Sequence, residues 1–101
     1  FEFTNGNEND VIKLFNEVDN EFGLVTALVN NAGINGGSTR VENITANCLQ
    51  TVFGTNVFGT FYCCREAVKR MKSVNHGSII NITSEAARFG GTEIAHYAAS
   101  K

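Results

Sequence analysis

The chain has 101 residues, 43% of them hydrophobic and 18% charged, with a formal net charge of −2. That size sets one domain as the ceiling, and the composition is that of a globular chain rather than a disordered one. A nearly balanced charge gives no electrostatic footprint for nucleic acid or an anionic membrane, and no apolar run is long enough for a membrane span.

Phe1-Glu2-Phe3-Thr4 has the pattern of a strand end, and Asn5-Gly6 that of a turn. Asn7 is an N-cap candidate with Asp10 three residues on, close to a capping box. Val11, Leu14, Phe15, Val18 and Phe22 form one apolar helical stripe that Gly23 terminates. The acidic residues Glu17, Asp19 and Glu21 beside it are expected on a solvated face. Leu24–Val29 is a short, almost continuous apolar run, the mark of a strand buried on both faces. It changes abruptly into Asn30-Asn31-Ala32-Gly33 and a loop containing Gly36, Gly37 and Ser38.

A second helix is expected from about Thr45 to Lys72, with Leu49, Phe53, Val57, Phe61, Cys64, Val68 and Met71 at spacings of three or four. Arg65, Lys69, Arg70 and Lys72 gather near its end, where the helix dipole favours cations. Gly54 and Gly59 inside it each cost about 1 kcal/mol against Ala. They signal either close approach of another backbone or a simple loss of helix stability. Asn75-His76-Gly77 turns the chain into a β-branched strand, Ser78–Thr83, and the polar segment Ser84–Thr92 leads to a helix carrying Tyr97. Alternating strands and helices argue for an α/β fold with a parallel sheet.

In such a sheet, ligands bind beyond the carboxyl ends of the strands. Both complete strands end there in polar residues, Asn30-Asn31-Ala32-Gly33 and Ser84, and the second loop leads back to Tyr97 and Lys101. Tyr97 and Lys101 stand one helical turn apart, so the ammonium could favour the phenolate and let the pair exchange a proton with an alcohol or carbonyl. An ordinary surface Tyr and Lys have the same spacing. Ser84 could donate to a substrate oxygen or simply cap a turn. The amides of Asn30 and Asn31 could hold a polar cofactor or brace a loop, and Gly33 admits a ligand to the backbone. Asn56, in the otherwise apolar stretch Phe53–Phe61, needs buried partners or a water. His76 and His96 have no Cys or carboxylate at metal-ligand spacing, so no metal site is expected and both belong on the surface. Three cysteines, with Cys63 and Cys64 adjacent, suit neither a disulfide framework nor a zinc knuckle, and a reducing, cytoplasmic setting is expected.

Taken together, the ordered set Asn30–Gly33 (NNAG), Asn56 in TNVFGTF, Ser84 after INIT, and Tyr97–Lys101 (YAASK) resembles the classical short-chain dehydrogenase/reductase family. The resemblance implies a Rossmann-like, doubly wound parallel sheet in three α/β/α layers. Residues 1–101 would be the central part of a single NAD(P)-binding domain. The implied activity is hydride transfer between NAD or NADP, with a lean toward NADP, and a small-molecule alcohol or ketone. It makes Tyr97 the acid/base, Ser84 the holder of the reacting oxygen, and Lys101 the partner of Tyr97 and of the nicotinamide ribose. Asn56 would place a water linking Lys101 to solvent, and Asn30, Ala32 and Gly33 would line the cofactor side. Glu2 stands where many members have an Asp facing the adenine.

The family's glycine-rich phosphate loop, TGxxxGxG, does not occur in the chain, nor does the downstream substrate loop. The pyrophosphate would sit on that loop, so the 101 residues alone are expected to be inactive. The full protein is expected to be a homodimer or homotetramer, with the long helix as one interface. Two other readings remain at this stage: a non-catalytic dinucleotide-binding or scaffold module, and an extended-branch epimerase or dehydratase.

Overall fold

The computed structural model describes residues 4–101. The strand expected over Phe1–Thr4 and the Glu2 position lie, apart from Thr4, outside the described residues, and Thr4 itself is in no strand. Helix α1 spans Glu8–Phe22. Asn7 Oδ1 accepts from the Asp10 amide at 3.1 Å, and Asp10 in turn accepts from the Thr4 amide at 3.2 Å. The first bond satisfies one of the orphaned donors of the helix start, and the second ties the preceding turn to it. At the other end Gly23 has φ 87° and bonds its amide to the Asp19 carbonyl. Val11 and Phe15 of the stripe are buried, but Phe22, at the last turn, is 82% exposed.

Strands β1 (Ala27–Asn30) and β2 (Ser78–Asn81) pair in parallel, with Leu28 opposite Ile79 and Asn30 opposite Asn81. Hydrogen bonds from Ser78 to Thr26 and from Ile82 to Asn30 carry the ladder one residue past each end. The expectation that Leu24–Val29 is a strand buried on both faces does not hold among the described residues, and β2 is likewise covered on one face. Leu28 and Ile79 pack on the helices, whereas Val29 and Ile80 are 56% and 55% exposed. Successive side chains of a strand point to opposite faces, and α1 and the long helix cover only one.

That long helix is three segments: α2 (Ala46–Phe53), a π-helical turn (Gly54–Phe58) and α3 (Gly59–Val74). Thr45 Oγ1 caps its start by accepting from the Cys48 amide at 3.1 Å. The π turn sits where the Asn5-Gly6 turn presses on the helix. Asn5 Nδ2 donates to the Thr55 carbonyl at 3.0 Å, a Cβ on Gly6 would lie 3.0 Å from the Gly54 carbonyl carbon, and one on Gly59 would lie 2.5 Å from Asn5 Nδ2. Close approach of Asn5 is therefore the reason for Gly59, whereas a Cβ on Gly54 would meet nothing within 4 Å, and the extra residue widens the helix there. Asn75, left-handed at φ 51°, closes α3, with the His76 amide bonded to the Met71 carbonyl.

The core lies between α1 and α3: Val11, Phe15, Cys63, Ala67 and Met71, with Leu28 and Ile79 from the sheet against it. An ion-pair network closes its edge. Arg70 Nε lies 2.9 and 2.8 Å from the two Asp19 oxygens, its Nη1 is 3.2 Å from Glu66, and its guanidinium stacks over Phe15. Asp19 is thus half-buried and paired rather than on a solvated face, because helix periodicity turns it toward α3. Burial alone would push the Glu66 carboxyl up, yet hydrogen bonds from Lys69, Arg65 and Arg70 hold it below the usual carboxylate range. Glu66→Ala is expected to lower unfolding free energy by about 2–3 kcal/mol at pH 7, read by urea denaturation. Because the folded carboxyl is the more acidic, this contribution is present above the unfolded value and fades as pH falls through the lower folded one. The difference between the two proteins should therefore shrink below about pH 4.

Candidate functional site

The polar ends of β1 and β2 meet side by side. Asn30 Nδ2 donates to Asn81 Oδ1 at 2.8 Å across the sheet and lies 3.2 Å from Cys64 Sγ. Beyond β1 the chain bends sharply, with the Asn31 amide on the Val29 carbonyl, and runs over the π turn. There Asn56, 7% exposed, uses its whole amide: Oδ1 accepts from the Ile34 amide at 2.9 Å, while Nδ2 donates to the Ile34 carbonyl at 2.7 Å and to Ser100 Oγ at 2.8 Å. A buried amide is thereby fully satisfied, and it joins the loop after Gly33 to helix α5 (Ala95–Ser100).

Tyr97 is half-buried in α5, and its carbonyl accepts from the Ser100 hydroxyl at 2.8 Å and the Lys101 amide at 3.1 Å. This one-turn bond sets Tyr97 and Lys101 on one face of the helix. Lys101 Nζ donates to the Ile82 carbonyl at 3.0 Å, and the Lys101 carbonyl accepts from Thr83 Oγ1 at 2.6 Å, so the end of α5 is pinned to the end of β2. A Cβ on Gly33 would lie 3.2 Å from Lys101 Nζ and 3.5 Å from Asn56 Oδ1, so Gly33 is what lets the loop approach the ammonium. Asn30, Asn56, Thr60, Asn81, Thr83 and Lys101 line a crevice of about 220 Å³. Ala32 faces a second hollow of about 190 Å³ with Asn30 and Asn31, on the side of α1.

Four expected site residues, Asn30, Gly33, Asn56 and Lys101, thus belong to one connected assembly around the ends of β1 and β2, and Tyr97 lies one helical turn before Lys101 in α5. Ser84 does not line the crevice. Its Oγ accepts from the Ala86 amide at 3.1 Å, capping a short helix, α4 (Ala86–Phe89), that sequence periodicity did not mark. This acceptor role leaves the hydroxyl proton for another partner. The surface position expected for His96 is incorrect: it is 2% exposed, with Nε2 3.0 Å from the Gly37 carbonyl. The glycine pair Gly36-Gly37, both at positive φ, folds the loop back onto it and was the one signal of that burial. Ser100, Thr83 and Asn81 were also missed as site residues, since only the fold brings them to the crevice. Burial pushes the Cys63 thiol up, with Cys64 beside it adding to the effect, which keeps it protonated and unreactive. Among the described residues no group of His, Cys, Asp or Glu is arranged to hold a metal ion, and no helix is long and apolar enough to cross a membrane.

The chain is 49% identical over 98 residues to the uncharacterized oxidoreductase YgfF of Escherichia coli (strain K12), covering 93% of this chain and 40% of that protein. It is 39% identical over 95 residues to a 3beta-hydroxysteroid dehydrogenase of Mediterraneibacter gnavus, covering 94% of this chain and 34% of the relative. The crystal structure of an NAD+-bound xylitol dehydrogenase superposes with a TM-score of 0.92 at 30% identity, over 100% of this chain and 39% of that one. The chain therefore spans about two fifths of the length of such proteins, and its parallel strands flanked by helices are part of their Rossmann-like α/β fold. With the model of the short chain dehydrogenase family matching residues 1–101, the chain belongs to that family.

Proposed function

We propose that the protein is an NAD(P)-dependent oxidoreductase acting on an alcohol or carbonyl, and that residues 1–101 are the central part of its single dinucleotide-binding domain. The observation that carries this reading is the approach of the Lys101 ammonium to Gly33, in a crevice that Asn56 also lines, one helical turn from Tyr97. Among the described residues Lys101 Nζ has one acceptor, the Ile82 carbonyl, which leaves two of its three protons for a ribose hydroxyl and the Tyr97 oxygen. The cradle fits the ribose side of a nicotinamide nucleotide, with Asn30, Ala32 and Gly33 lining the approach. When bound, the nucleotide supplies or accepts the hydride.

In the reducing direction the Tyr97 phenol gives its proton to the substrate oxygen as negative charge builds there, and Lys101 stabilises the phenolate that remains. Ser84 donates its hydroxyl proton to the same oxygen while keeping the Ala86 amide as a donor to it. In the oxidising direction the phenolate takes the alcohol proton back. The side chain of Asn56 is committed to Ile34 and Ser100, so what it offers a relay water is the backbone carbonyl, which already accepts from Thr60 Oγ1 at 3.0 Å and has a second lone pair. Asn56 then acts chiefly by positioning.

The similar proteins named above act, by their names, on a 3β-hydroxysteroid and on xylitol, both of which carry secondary alcohols. A secondary alcohol or its ketone is accordingly the substrate class proposed. The test is nucleotide absorbance at 340 nm for the full protein with xylitol, a 3β-hydroxysteroid and 2-butanol, each with NAD+ and with NADP+. The expected result is turnover of at least one pair, the lean being toward NADP. Ser84→Ala should then lower kcat about 10²-fold, as loss of one donor to a developing oxyanion does. Undiminished kcat in that variant would remove Ser84 from the site. Exposed Phe58, Phe61 and Val68 on the long helix support a homodimer or homotetramer, which light scattering on the full protein reads directly. The free thiols of Cys48, Cys63 and Cys64 support a reducing cytoplasmic setting, and fractionation of source cells tests it.

A further inference from the structure

We infer that His96 is a positioning residue, a latch whose Nε2–H donates to the Gly37 carbonyl and holds the loop after Gly33 against the helix that carries Tyr97. The reading rests on the proposed role of Tyr97, but the geometry stands apart from it. A carbonyl can only accept, so the 3.0 Å separation requires the proton on Nε2. Nδ1 is buried and has no partner among the described residues. The other tautomer would set a lone pair against the Gly37 oxygen and leave a buried N–H unpaired, so the environment admits one neutral form.

The loop is shaped for this bond. Gly36 and Gly37 have φ 73° and 82°, which other residues rarely adopt. A Cβ on Gly36 would run into Val52, and it would lie 3.2 Å from Cys48 Sγ and 3.5 Å from the His96 ring, so the loop is wedged between α2 and that ring. Besides the longer contact of Cys48 Sγ to the Gly36 carbonyl at 3.7 Å, three ties then fix residues 34–39 to their surroundings: Ile34 to Asn56, Gly37 to His96, and the Thr39 amide to the Glu93 carbonyl at 2.8 Å. His96 supplies the only one of the three that comes from an α5 side chain, and it immediately precedes Tyr97. Loosening it lets Gly33 and Tyr97 shift against each other, and misplacement of about 1 Å is enough to cost about 10²-fold in rate.

The test is made on the full protein with His96→Gln, His96→Asn and His96→Phe. A Gln amide reaches the place of Nε2, whereas an Asn amide reaches only that of Nδ1. His96→Asn and His96→Phe are expected to lose about tenfold in kcat, and His96→Gln to stay near wild type. Long-range ¹H–¹⁵N spectra of the wild type should show the Nε2–H tautomer. Equal activity of the Asn and Gln variants, or an Nδ1–H tautomer, overturns the latch. A merely structural role would lower thermal stability in all three without sparing Gln in kcat. Should Tyr97→Phe prove fully active, the site reading fails on its own, and the tautomer spectrum still decides the latch.

Discussion

Tyr97→Phe is expected to reduce kcat of the full protein by about 10³-fold, the range in which a positioned proton donor usually works. The change removes one oxygen and nothing that holds the site together. The bonds around Tyr97 are made by its backbone: its carbonyl accepts from Ser100 and from the Lys101 amide. The pinning of α5 to β2 runs through Thr83, Lys101 and Ile82, and the tie to the loop after Gly33 runs through Asn56 and Ser100. All of these survive the substitution. NADPH affinity should accordingly stay at the wild-type level, because Lys101 keeps its place, while turnover disappears. A variant that retains more than about a tenth of wild-type kcat removes the phenol as acid/base, since a bystander hydroxyl accounts for a loss that small. A wild type that binds the nucleotide but turns over none of the alcohols favours the dinucleotide-binding module instead.

The parts of the fold that were legible in the sequence are those that a few neighbouring residues decide. Asn7 and Thr45 cap the helices that follow them, Gly23 stops the first, and Asn75-His76-Gly77 ends the long one. Caps are local bonds, so local sequence shows them. The meeting of Asn30, Gly33 and Lys101 was legible for another reason. Strand order and the polarity of strand ends are enough to send those residues to one edge. What stayed hidden depends on long-range approach. The π turn at Gly54–Phe58 is set by Asn5 and Gly6, some fifty residues away in sequence. The pairing of Asp19 with Arg70, the burial of His96 under Gly37 and the recruitment of Ser100 to Asn56 likewise join residues more than forty apart in sequence. The exposed face of Val29 and Ile80 carries a different lesson. An apolar run records what a strand is suited to bury, and within this chain only one of its faces is covered.

Asn56→Asp is expected to be the most damaging single-atom-scale change in the site, lowering unfolding free energy by about 3 kcal/mol at pH 7. The introduced carboxylate keeps one function, acceptance from the Ile34 amide. Its second oxygen, however, replaces the nitrogen that sits 2.7 Å from the Ile34 carbonyl, so two acceptors face each other in a buried place. Ser100 can relieve its own side only by turning its hydroxyl away from the Tyr97 carbonyl, which gives up a bond at 2.8 Å. Burial and the facing carbonyl both favour the neutral acid, so the folded carboxyl binds its proton more readily than the unfolded one. The penalty is therefore absent below the unfolded value and grows as pH rises through it toward the folded one, so lowering the pH from 7 to about 5 should return part of the lost stability. Urea denaturation at the two values measures it, and a variant within about 1 kcal/mol of wild type at pH 7 would show that Asn56 is not the buried hinge between loop and helix. The same change should weaken nucleotide binding, because Ile34 directly follows Gly33 and the approach of Gly33 to the Lys101 ammonium depends on where Ile34 is held.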